Sequence, residues 1–191
     1  MRPRRKPGEP GPLFRFFADD HRRLDEILRR ARTPRGRVDA ALFEQFRGGL
    51  LRHIGMEEKV LLPAARAARG GAALAVARLL RTDHGAIAAL LVPTPTPEVF
   101  ERILSVLGPH NALEEEPDGL YETCDRLLAD EAAALLEQLR AFPEVPMAPH
   151  QDSPLVERHI AETLALVRKA RVSADHPAAR DGGPGPTGVK P

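Results

Sequence analysis

HIGMEEKVLLP, residues 53–63, and HNALEEEPDGLYETCD, residues 110–125, open on the same unit. The unit is His-x-x-x-Glu: His53 with Glu57, and His110 with Glu114. Residues four apart on an α-helix share a face and lie about 6 Å apart along the axis. Each unit therefore offers one imidazole nitrogen and one carboxylate to a common point. Two single histidines stand before and between the units, His21 in DDHRRLDEIL and His84 in RTDHGAIAALL. Together these make six candidate ligands, His21, His53, Glu57, His84, His110 and Glu114.

Working outward from these stretches, apolar residues recur at helical spacing. The first helix is predicted from Pro12 to about Arg32, with Leu13, Phe16, Phe17, Leu24, Ile27 and Leu28 beside His21. The second runs from about Val38 to Arg69, kinked by Pro63 one turn after Glu57. The pair Gly70–Gly71 separates it from a third helix over about 72–92, which carries His84. PTPTP, residues 93–97, leads into a fourth, which carries His110 and Glu114 and resumes from Leu120 to Leu139. Gly108–Pro109 and Pro117–Asp118–Gly119 should kink or break it. Short connections favour antiparallel neighbours, so the expected fold is all-α, an up-down-up-down antiparallel four-helix bundle over residues 12–140. The histidines lie well inside their helices, and mid-helix positions of an antiparallel bundle meet at one level of the core. A proline-punctuated connector (141–152) and an accessory helix (153–171) follow, the helix starting at Ser153–Pro154. The basic arm 1–11 and the tail 172–191 are predicted to be disordered.

Composition narrows the function. The 28 basic and 27 acidic residues nearly cancel, which argues against a polyanionic partner such as nucleic acid. No run of 18 apolar residues exists to span a membrane. The basic N-terminus is followed by no apolar region of a secretory signal, and Cys124 is the only cysteine, so a cytoplasmic location is expected. No phosphate-binding glycine loop, nucleophile elbow or zinc-finger spacing is present. Buried glutamate and histidine on an otherwise apolar face are costly without a partner, and a divalent cation removes that cost for all six residues together. A nitrogen and oxygen donor set without sulfur suits iron, manganese or zinc in a site unlike structural zinc. Two carboxylates can each bridge two cations, and six protein ligands over two ions leave positions open.

Taken as a set, the four histidine stretches resemble the hemerythrin-like, or HHE cation-binding, domains over about residues 12–130. The resemblance implies a non-haem di-iron centre. His21, His53, His84 and His110 would be terminal ligands, and Glu57 and Glu114 bridging carboxylates. It also implies a small external ligand at the metal, a diatomic or peroxide. Oxygen carriers of the family bind dioxygen reversibly. Relatives sense oxygen or iron, bind nitric oxide, break down peroxide, or supply iron for cluster repair. Two functions follow as expectations: binding or sensing dioxygen, nitric oxide or iron, or a di-iron oxidoreductase acting on peroxide or nitric oxide. Oligomeric state is not legible.

Three departures from the carriers stand out. Their second histidine on the third helix corresponds to Ala88, so the external ligand is expected at the iron with fewer imidazoles. Glu115 and Glu58 compete with Glu114 and Glu57 for the bridging role. Pro109 and Pro117 flank the last ligand pair. Beyond the six, Tyr121 reads as a packed core residue that can also hydrogen-bond a metal-bound ligand. Cys124 has no resolving partner, and His150, His159 and His176 read as surface residues.

Overall fold

The computed structural model describes residues 9–33 and 36–175, and these form helices without a strand. Residues 1–8 and 176–191, most of the two segments expected to be disordered, lie outside the described residues, as does His176. Helix α1 spans Pro12–Ala31. It has no cap from its own flank; instead Asp125, 112 residues away, accepts the N–H groups of Leu13 and Phe14 at 3.1 and 3.0 Å. The first-turn donors that a helix leaves unpaired are thus satisfied by a distant element, which fixes where α1 begins.

Asp39 caps α2 (Ala40–Met56) by accepting from the Leu42 N–H. The expected kink at Pro63 takes a different form. The chain passes through a π-helical turn, Glu57–Leu61, straight into α3, Leu62–Ala68. The Leu62 N–H donates to the Glu57 carbonyl five residues back. Pro63 has no N–H to give the carbonyl four residues back, and the π turn absorbs the defect without ending the helix. Such turns gather at functional sites, and this one carries Glu57 and Glu58.

Gly70 and Gly71 take left-handed backbone, φ +64° and +95°, which ends α3 where the pair was expected to. Helix α4 is Ala77–Leu90, and α5 is Pro97–Glu115, capped by Thr96. α5 passes unbroken through Pro109, so of the kink or break expected at Gly108–Pro109 the break does not occur. The proline lies on the exposed side, where water can serve the carbonyl it deprives. The break comes after Glu115, where Asp118 adopts φ 62° and α6 (Leu120–Leu127) begins. A further turn separates α7, Ala132–Arg140. α8, Pro154–Asp175, runs four residues past its expected end and packs along α4 through Ile160 and Val167. No helix among the described residues is long and apolar enough to cross a membrane.

Two apolar clusters make up the core. One gathers Leu24, Ile27 and Leu28 of α1, Phe43, Phe46 and Leu50 of α2, Ile87 and Leu90 of α4 and Ile103 and Val106 of α5. The other gathers Leu13 and Phe17, Met56, Leu61 and Leu62, Leu80, and Leu120 and Tyr121. His21, His53, His84 and His110 fall between the two sets along their helices. The polar residues therefore occupy a waist with an apolar cluster on either side.

Gly119 controls how the chain turns from α5 into α6. A Cβ there would meet the carbonyl oxygens of Glu116, Glu114 and Leu113 at 2.7, 2.8 and 2.9 Å. These are backbone atoms and cannot swing aside. Gly119→Ala is expected to destabilise the fold by about 1–3 kcal/mol, as overpacking does, read from the urea midpoint. An unchanged midpoint would show that the turn relaxes freely.

Candidate metal centre

The six polar residues of the waist come from five elements of the bundle. α1 supplies His21, α2 His53, the π turn Glu57, α4 His84, and α5 both His110 and Glu114. All six are buried, the two glutamates completely. Their inward atoms fall into two groups, one of Glu57, His84, His110 and Glu114, the other of His21, His53 and Glu114. Within each group one donor atom per residue lies within 4.8 Å of the others. Glu114 belongs to both groups, and Glu57 reaches from the first toward His53 of the second. Glu57 places Oε1 3.4 Å from Nε2 of His53 and Oε2 3.1 Å from Nε2 of His84. Glu114 places Oε1 3.3 Å from Nε2 of His110 and Oε2 3.5 Å from Nε2 of His21. The four imidazoles divide two and two. No half has fewer, which corrects the asymmetry expected from Ala88. That residue lies on the exposed side of α4, so its side chain does not reach the waist.

Behind every imidazole stands a carboxylate facing Nδ1. His53 donates to Asp20 at 2.9 Å, His84 to Glu58 at 2.8 Å and His21 to Glu115 at 2.5 Å. Asp83 stands 3.5 Å from Nδ1 of His110. A carboxylate can only accept, so Nδ1 keeps its proton, and each imidazole in its neutral form turns the Nε2 lone pair to the centre. That is the arrangement in which an outer hydrogen bond orients an imidazole for a metal. The ties run around the bundle: by hydrogen bonds α1 supports the histidine of α2, the π turn that of α4 and α5 that of α1, while Asp83 of α4 faces Nδ1 of the α5 histidine without a hydrogen bond. The roles of the paired glutamates follow. Glu57 and Glu114 turn inward, while Glu58 and Glu115 turn to the histidine of a neighbouring helix.

Asp20 and Asp83 were not singled out in the sequence, although each immediately precedes a histidine. Adjacent residues on a helix point about 100° apart, so neither can serve the histidine beside it, and each reaches the next helix instead. Asp83 is also bound by Arg171 of α8 at 2.7 Å, so the accessory helix touches the centre through Asp83. Tyr121, read as a core residue, is fully buried with its hydroxyl in the cluster, donating to Oε1 of Glu57 at 2.6 Å. Cys124 is buried too, and burial pushes its thiol up to about 12, far from a reactive thiolate. His159 is exposed, as expected. His150 is not a free surface residue: it contacts Glu44 and the Val92 carbonyl and pins the connector to the bundle.

Without a cation, protons hold the cluster together. Burial works against a charged His53, but the Glu57 and Asp20 carboxylates outweigh it and carry the imidazole up to about 9. Against the same burial, Glu57 and Glu58 raise His84 to about 9. Glu57, although buried, is held well below the usual carboxylate range by His53 and His84. Burial and the nearby charge of Glu57 push Glu114 well above it. Burial lowers His110. Even so, Glu57 Oε2, His84 Nε2, Glu114 Oε1 and His110 Nδ1 are buried and make no hydrogen bond, although Glu57 Oε2 and His84 Nε2 stand 3.1 Å apart.

Residues 13–118 match the family model of the hemerythrin HHE cation-binding domain, from the first turn of α1 to the break after α5. No curated protein and no solved structure gives a match.

Between pH 6.5 and about 9 the folded, metal-free chain binds more protons than the unfolded one, through His53 and His84. Stability therefore falls as pH rises through that interval. The Tm in the presence of a chelator is expected to drop across it, while the gain on adding a divalent metal grows. A level Tm would show that the two imidazoles are not held protonated. Asp20→Asn and Asp83→Asn remove two of the outer carboxylates. Each is expected to weaken metal binding about 10–100-fold, measured by competition with a chromophoric chelator; unchanged affinity in both would deny the circuit a role in holding the metal.

Proposed function

The chain belongs to the hemerythrin HHE cation-binding family, and we propose that its waist holds two iron ions without haem and binds a small diatomic molecule there. His21 and His53 would hold one ion, His84 and His110 the other, with Glu57 and Glu114 shared. The observation that carries the reading is the set of partnerless buried atoms, Glu57 Oε2, His84 Nε2 and Glu114 Oε1, all in one donor group. Leaving such atoms unpaired in the core costs about 1–3 kcal/mol each, more when charged. A divalent cation satisfies them at once. The donors are imidazole and carboxylate with no sulfur, a set suited to iron.

Iron in such a centre supplies a redox-active Lewis acid to which dioxygen, nitric oxide or peroxide can attach. The chain's own part is to hold the site ready and shielded. The outer carboxylates keep each Nε2 aimed inward, and the apolar clusters keep water from either end. The sequence of α1, α2, α4 and α5, which run alternately toward and away from the Phe43–Phe46 cluster, supports the up-down-up-down arrangement. We place the protein in the cytoplasm, acting as a carrier or sensor. Each half would have only four protein donors, and this favours a second reading, an oxidoreductase that reduces peroxide or nitric oxide. Steady peroxide consumption by the iron-loaded chain would select that reading over the first.

The deciding measurement is metal per chain after iron-replete expression and removal of loosely held metal. Two irons are expected in the wild type, and one or none in Glu57→Ala and in Glu114→Ala. Zinc or a single metal in the wild type would remove the di-iron reading. Full loading in both variants would remove the shared-carboxylate assignment.

A further inference from the structure

We propose that Tyr121 is itself a metal ligand, a phenolate that completes a five-donor site with His21, His53, Glu57 and Glu114. The proposal rests on the two-iron reading above and adds a donor to it. Tyr121 is the only tyrosine of the chain. Its oxygen lies 2.6 Å from Oε1 of Glu57, 3.1 Å from Oε2 of Glu114, and 3.3 Å from Nε2 of both His21 and His53. Metal–donor bonds to nitrogen and oxygen are about 2.1 Å, so neighbouring donors at right angles around one ion stand roughly 3.0 Å apart. The four distances bracket that value. The phenolic oxygen is spaced from these atoms as one vertex of a coordination shell is spaced from its neighbours.

A phenol has one proton to donate, and Glu57 takes it at the shortest distance. The remaining three neighbours are a second carboxylate oxygen and two imidazole nitrogens whose Nδ1 atoms are already donating to Glu115 and Asp20. With the nitrogens in the neutral form that binds metal, the oxygen faces three more acceptors. A cation among them turns that repulsion into shared coordination. On loading, the O–H bond gives way to an oxygen–metal bond and the proton leaves to solvent with those displaced from the imidazoles. No electron moves in this step.

The ring cannot retreat from the cluster. Phe17 stacks on it with centroids 4.9 Å apart and planes 10° from parallel, and Phe14 meets it edge-on at 6.1 Å. Two residues before it, Gly119 leaves no room for a Cβ beside the carbonyls of Leu113, Glu114 and Glu116, which ties the start of α6 to the ligand-bearing end of α5. The repeated units also differ here. Seven residues after its glutamate the second unit reaches Tyr121; the first reaches Ala64. Only one half of the centre receives a phenol, and the other keeps the partnerless atoms of Glu57, His84 and Glu114.

The test uses the full chain, loaded with ferrous iron and oxidised with ferricyanide, and reads resonance Raman spectra under visible excitation. We expect tyrosinate ring modes that shift when ring-deuterated tyrosine is incorporated, beneath a charge-transfer band that Tyr121→Phe abolishes. Tyr121→Phe keeps the stacked ring and removes only the hydroxyl. A wild-type chain with two irons and no tyrosinate modes overturns the proposal and leaves the two-iron reading standing. A visible band that survives in Tyr121→Phe overturns it equally. A chain that takes up no iron overturns both, and metal content distinguishes that case. The wild-type spectrum decides the matter even if the variant fails to fold.

Discussion

Two carboxylates and four imidazoles are packed at the middle of an apolar bundle, and the remainder of the molecule is arranged around the cost of putting them there. An uncompensated charge in such surroundings is worth several kcal/mol against folding. Glu57 and Glu114 have no exposure at all. Something positive must stand between them, and in the metal-free chain it is protons. His53 and His84 are raised to about 9, and Glu114 is pushed well above its usual range. This makes a centre that takes up cations by giving up protons, so its metal affinity is coupled to pH through the same groups that stabilise the fold.

The outer carboxylates answer a second need. An imidazole at the centre is useful only if its Nε2 lone pair points inward, and Asp20, Glu58, Asp83 and Glu115 provide for that by facing Nδ1. Because each belongs to a different helix from the histidine it supports, the circuit also joins the helices at the level of the site. Asp83 has a partner on two sides. It stands against His110 on one side and Arg171 of α8 on the other. The accessory helix is thus more than a cover for the apolar side of α4, since its cation balances a fully buried carboxylate behind a candidate ligand.

The repeated units give the centre an approximate twofold character, and local irregularities break it. Glu57 and Glu58 lie in a π turn, whereas Glu114 and Glu115 end a regular α-helix that has already passed a proline. The segment after the first unit continues as helix through Pro63. The segment after the second turns sharply at Asp118 and Gly119, and this turn brings Tyr121 over the His21–His53 half. Two halves with the same imidazole count therefore differ in their surroundings, one roofed by a phenol and the other left with unsatisfied donors.

Much of this was legible in the chain. Helical periodicity of the apolar residues placed α1, α2, α4, α5 and α8, because burial on one face imposes a 3.6-residue spacing that survives without a partner in view. The His-x-x-x-Glu spacing marked Glu57 and Glu114, and the histidines' mid-helix positions brought them to one level. Which carboxylate of each adjacent pair turns inward was not legible. Two residues 100° apart on a helix are both plausible until the neighbouring helices take their places, and only then do Glu58 and Glu115 meet His84 and His21. Asp20, Asp83 and Arg171 were hidden for the same reason, as each serves a residue on another helix. Neither Pro109 nor Pro63 ends its helix, because a proline breaks a helix only where its lost hydrogen bond cannot be recovered. An exposed face answers that loss for one, and a π turn for the other. Sequence alone determined which residue types share a face, since that is a matter of spacing along one helix. The tertiary structure decided which atoms meet, because every contact that defines the centre crosses from one helix to another.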